Sequence, residues 1–114
     1  MRRPRVSSEV PAAADPAEEQ AERIASAVIA IDGVAGLHAG MFGEVATYLP
    51  GRRVAGIRLG PDRVDVHVSL ALDAPVRPTA TAIQRAVAAI TDLPVDVTVE
   101  DLVPVTPASG RELR

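Results

Sequence analysis

The chain contains no cysteine, no tryptophan and no lysine, and its aromatic residues are a single Phe and a single Tyr. Without thiols there are no disulfides, no thiolate nucleophile and no zinc–thiolate site. With 2% aromatic residues, a core has to be built from Val, Ala, Ile and Leu, and a thin core of that kind suits two packed layers. No apolar run approaches the roughly 20 residues that cross a bilayer. The N-terminal arginines are not followed by the apolar stretch of a signal peptide, so the expected location is cytoplasmic.

Charge is uneven along the chain. The formal net charge is -3. Residues 1–14 hold three Arg and one Glu, residues 104–114 two Arg and one Glu, and the body between them seven Arg against thirteen acids, or -6. An acidic body repels phosphate backbones and argues against general nucleic-acid binding. Three arginines opposed by one Glu also make a weak lipid anchor, so no direct membrane insertion is expected.

What is present is one small domain: 114 residues, 47% of them hydrophobic, bury a single core. Residues 1–14 are expected to be a disordered tail, 15–103 the domain and 104–114 a flexible tail. Its centre is a strand, helix, strand unit from Arg63 to Val103. In Val64, Val66, Val68, Leu70 and Leu72 every second residue is apolar, while Asp65, His67, Ser69 and Asp73 fill alternate places, the period of a half-exposed strand. Val95, Val97 and Val99 alternate with Asp96, Thr98 and Glu100 in the same way. Between the two runs, Val76, Ala80, Ile83, Val87 and Ile90 recur at helical spacing, with Pro78 tolerable in the first turn. This length suits a crossover between parallel strands.

Upstream, Asp15, Pro16 and Glu18 read as a cap and capping box for a helix whose buried stripe is Ala17, Ala21, Ile24, Val28 and Ile31, stopped at Asp32-Gly33. Val34 to Leu37 and Glu44 to Leu49 read as short strands, the second ending at Pro50-Gly51. Val54 to Gly60 reads as a strand with Ala55, Ile57 and Leu59 on one side, joined to the central strand as a hairpin by the Gly60-Pro61-Asp62-Arg63 turn. The expected fold is α+β: a two-layer sandwich with a three- to four-stranded mixed sheet and two helices on one face, in the order helix, strand, strand, hairpin, helix, strand.

Chemistry is sparse. The histidines are His38 and His67. His67 lies two residues from Asp65 on the polar face of a strand, but no third metal ligand accompanies them, so no metal and no cofactor are expected. No nucleophile elbow or phosphate loop is present, and no enzyme is expected. The candidate site is an interaction surface made of Asp65, His67 and Ser69 together with the adjacent basic pair Arg52 and Arg53 in a loop. Gly33-Val-Ala-Gly36 and Gly40-Met-Phe-Gly43 match the GxxG pattern with which KH domains clamp RNA, although a KH loop joins two helices and carries a basic residue between its glycines. A small RNA-binding domain using these turns and Arg52-Arg53 is the alternative reading.

The ordered set Asp32 to Leu37 (Asp-Gly-Val-x-Gly-Leu), Gly51 to Ile57 (Gly-x-x-Val-x-Gly-Ile), Ile83 to Val87 (Ile-Gln-x-x-Val) and Pro94 to Val103 (Pro-Val-x-Val-x-Val-x-Asp-Leu-Val) resembles the alkaline shock protein family of envelope stress response proteins. It covers nearly all of residues 15–103, and Phe42 to Arg53 (FGEVATYLPGRR) resembles the short actinobacterial branch. The resemblance implies a non-enzymatic cytoplasmic protein of the cell-envelope stress response. It further implies self-association as a homo-oligomer and a membrane-anchored protein partner, and it carries over no catalytic residues. The chain departs from longer members in lacking an extended charged C-terminal region.

Overall fold

Alternation over two long runs dictates the centre of the molecule. The computed structural model describes residues 16–104. The expected N-terminal tail, the Asp15 cap and all but the first residue of the expected C-terminal tail lie outside the described residues. The elements are α1 (Pro16–Ile29), β1 (Val34–Leu37), β2 (Ala46–Leu49), β3 (Arg52–Ala55), β4 (Ile57–Leu59), β5 (Val64–Ala71), α2 (Val76–Ala88) and β6 (Val95–Val103). They form the expected α+β sandwich, a four-stranded mixed sheet with both helices on one face, and add a separate two-stranded ribbon of β2 and β3.

β5 is the strand to which all the others in the main sheet are bonded. Along one edge it runs parallel to β6, from Val64 opposite Val95 to Ala71 opposite Val103, with a bulge after Val68. Its other edge is shared by two short antiparallel strands laid end to end. β4 takes the first half, Ile57 opposite Val66, and β1 the second, Leu37 opposite Val68 and Val34 opposite Leu70. The exchange falls at His67, whose N–H donates to Gly56 O and whose carbonyl accepts from the His38 N–H, each at 2.9 Å.

The face of β5 formed by Val64, Val66, Val68 and Leu70 is fully buried against Ile24 and Val28 of α1 and Ile83 and Val87 of α2. The core is aliphatic throughout, and each such side chain contributes about 1.5–3 kcal/mol by leaving water. The helical stripes shift slightly from expectation. Ala17 is exposed, so the α1 stripe begins at Ala21. Val76 is 44% exposed, and the first buried position of α2 is Thr79, whose hydroxyl is satisfied by donating to Pro75 O at 2.7 Å. Leu72 is also exposed, because the strand ends at Ala71 and the chain turns there, with the Ala74 N–H donating to Ala71 O.

The run from Val54 to Gly60 is two strands, not one. β3 pairs with β2 across the Pro50-Gly51 turn, where φ of 78° at Gly51 fits the third position of a type II turn. Ala55 therefore faces Ala46 in the ribbon instead of continuing the row of Ile57 and Leu59. The break is at Gly56, with φ of 85° and no room for a side chain. A Cβ there would lie 2.7 Å from Leu37 Cβ and 3.0 Å from both His38 N and His67 O.

Gly56→Ala combines a left-handed backbone with a backbone clash and should cost roughly 2–5 kcal/mol. Gly36→Ala is the control: a Cβ at that position would meet nothing within 4 Å, and its φ is not positive. Restricting the unfolded chain should leave that variant unchanged or up to about 1 kcal/mol more stable. Urea unfolding of both variants reads the difference, and equal stability would contradict the packing at Gly56.

Candidate interaction surface

The expected site residues divide into two groups that the fold keeps apart. Asp65, His67 and Ser69 lie half-buried on the face of β5 away from the helices. His67 does not join Asp65. Its Nδ1 donates to Glu100 Oε2 of β6 at 2.5 Å, and both side chains are less than a quarter exposed. Nearby, Arg63 pairs with Asp96 at 2.7 Å in a more exposed setting. Among the described residues no group of three or more His, Asp or Glu is arranged to hold a metal ion.

Arg52 and Arg53 are strand residues of β3 rather than loop residues, and alternation sends them to opposite faces of the ribbon. Arg52 reaches back to α1 and pairs with both Glu18 and Glu22. Hydrogen bonding to Glu18 and then Glu22 raises its pKa further, which leaves it charged at every physiological pH. Arg52 thus ties the ribbon to α1. Arg53 lies opposite Tyr48 on the outer face, with Nη1 donating to Gly43 O at 3.5 Å.

The residues missed by the reading of polar patterns are apolar. The only Phe and the only Tyr both point into solvent: Phe42 is 90% exposed and Tyr48 69%, with Met41 at 85% beside Phe42. Their supports are fixed. In the loop from His38 to Val45, the Val45 N–H donates to Ala39 O at 2.8 Å and the Gly43 N–H to Gly40 O at 3.2 Å. The Gly40 N–H donates to His38 Nδ1 at 2.9 Å, and the Phe42 N–H to Glu44 Oε1 at 3.0 Å. Positive φ at Gly40 (88°) and Gly43 (73°) makes the tight path possible. Arg58 of β4 closes the loop by donating to Glu44 O at 3.1 Å. A signal for this surface does exist in the sequence, since Phe42 falls between Gly40 and Gly43 and Tyr48 in a strand of four residues that ends at Pro50-Gly51.

Neither GxxG segment has a KH setting. Gly33 to Gly36 runs from the end of α1 into β1, and Gly40 to Gly43 lies between β1 and β2, so neither joins two helices. At the far end of the sheet a cleft of about 770 Å³ opens where β1 begins, β5 and β6 end and α2 starts. Small residues line it, including Gly33, Ala35, Ala71, Ala74 and Pro75, together with the carboxylates of Asp32 and Asp73. No helix among the described residues is long and apolar enough to cross a membrane.

Comparison with protein-family models, with curated proteins and with solved structures finds no match to this chain.

Glu44 holds the loop by its charge. Hydrogen bonds from its own amide and from the Phe42 amide, with smaller help from Arg58 and His67, lower its pKa from the ordinary 4.5. A carboxylate with a depressed folded-state pKa stabilises above its unfolded value and loses that effect as pH falls through the lowered one. The protection of the Phe42 amide from hydrogen exchange should therefore be full above pH 4.5 and fall at lower pH. In Glu44→Gln protection should be weaker at neutral pH and show no step on acidification. An unchanged profile would contradict this role.

Proposed function

We propose that this chain is a non-enzymatic envelope stress response protein of the alkaline shock protein type, acting near the cytoplasmic membrane by self-assembly and by docking on a membrane-anchored protein. The observation that carries this reading is the display of Met41, Phe42 and Tyr48 on a hydrogen-bonded loop and ribbon while the core uses no aromatic residue. Exposed aromatics beside arginines are the residue types that dominate protein–protein contacts. Large apolar side chains held in water are stabilised when a contact removes them from it, so leaving them outside favours association.

The resemblance of residues 15–103 to that family supports the cellular role. Several of its motif residues have structural work here: Gly51 makes the ribbon turn, Gly56 the close approach to His67, and Ile57 the core contact of β4. The segment from Phe42 to Arg53 instead carries the exposed side chains. Under this reading the open face of the sheet, with Asp65, His67, Ser69, Asp96, Thr98 and Glu100, keeps the monomer soluble.

In cells lacking the gene, survival of alkaline shift and of cell-wall stress should fall. The wild-type gene should restore it, and a Phe42→Ser, Tyr48→Ser gene should not, although the doubly substituted protein accumulates and melts normally. Full rescue by the double variant would remove the loop and ribbon from the function. Unchanged survival of the deleted strain would overturn the envelope-stress reading.

A further inference from the structure

The exposed loop and the cleft at the far end of the sheet complement each other in shape and in charge. The loop offers two large apolar side chains, Met41 and Phe42, with Arg53 next to them at the Gly43 carbonyl. Arg53 makes no ion pair among the described residues. The cleft has the opposite character: it is lined by small and medium side chains, among them Gly33, Ala71, Ala74 and Val103, with no aromatic residue, and by the exposed Asp32 and Asp73, which likewise make no ion pair among the described residues.

A loop cannot reach the cleft of its own chain. Cleft and loop lie at opposite ends of β1, whose four residues span about 13 Å, and the hydrogen bonds that close the loop hold it at its own end. We infer that the Met41–Phe42 loop of one copy seats in the cleft of a second copy, with Arg53 facing Asp32 and Asp73. The two surfaces differ, so the contact is heterologous: a joined pair keeps one free loop, on one copy, and one free cleft, on the other, and growth runs head to tail into chains or rings. A two-residue knob covers little area, which makes each contact weak and assembly dependent on concentration. This inference rests on the proposal that the chain acts by assembly and names the surfaces that would do it.

The test is sedimentation velocity on the full chain from about 10 µM to about 1 mM, the range suited to a small interface. The wild type should rise in mean mass above the 11.9 kDa monomer. Phe42→Ser and Asp73→Arg alter exposed side chains and should each melt normally and stay monomeric. An equimolar mixture of the two should recover association but stop at a dimer, because one variant retains the cleft and the other the loop. If the wild type associates and the single variants still do so, or if their mixture stays monomeric, the loop-and-cleft contact is wrong while assembly stands. A wild type that remains monomeric over the whole range overturns both. Phe42-dependent binding of that monomer to phosphatidylglycerol vesicles would assign the loop to lipid instead.

Discussion

The backbone of one residue, His67, decides how the rest of the chain is placed. Half-way along β5 its N–H bonds the Gly56 carbonyl and its carbonyl accepts the His38 amide, so two separate segments meet on a single strand edge. The meeting is tight enough that only glycine fits at position 56. From that junction the chain leaves in two directions, into the His38–Val45 loop on one side and into the ribbon on the other. The two are then sewn together by the Gly56 N–H donating to Val45 O at 2.8 Å, and by Thr47 Oγ1 donating to Ile57 O at 2.6 Å. The exposed side chains of the loop and ribbon therefore stand on a framework anchored to the central strand.

That framework explains how a thin aliphatic core coexists with exposed aromatics. Valine, isoleucine and leucine from β5, α1 and α2 fill the space between two layers, and short branched side chains pack a gap that Phe or Tyr would overfill. The aromatic residues are thereby left for contact with other molecules. The polar face of the sheet is held by pairs across strands, His67 with Glu100 and Arg63 with Asp96, and the second face of the ribbon by Arg52 with α1. The Arg63–Asp96 and Arg52 pairs are exposed and contribute little to stability, whereas His67 and Glu100 meet in a largely buried setting.

How much of this was legible in the sequence depends on the length of each pattern. β5 and β6 run for eight and nine residues, long enough for alternation to be unmistakable, and α2 between them has the length of a crossover. The ribbon strands and β4 are three or four residues each, no more than two full periods, so Arg52 and Arg53 read as loop and Gly56 as an ordinary strand position. Long-range partners were beyond any local pattern. Glu100 is 33 residues from His67 and Glu18 is 34 from Arg52. Attention to polar residues also drew the candidate site to Asp65, His67 and Ser69, whereas the most exposed large side chains, Met41 and Phe42, sit in the segment with the least periodicity.

Rigid display of the aromatics requires that loop and ribbon be fixed to β5 through the His67 junction. Amide hydrogen exchange on the intact chain tests that directly. The His38, Val45, Gly56 and His67 amides should be protected to the same degree as Val66 and Val68 within β5, while Met41 at the loop tip exchanges fast. If Val45 and Gly56 exchange as freely as Met41 while Val66 remains protected, the loop and ribbon are hinged on the sheet and the rigid display of Phe42 and Tyr48 is wrong.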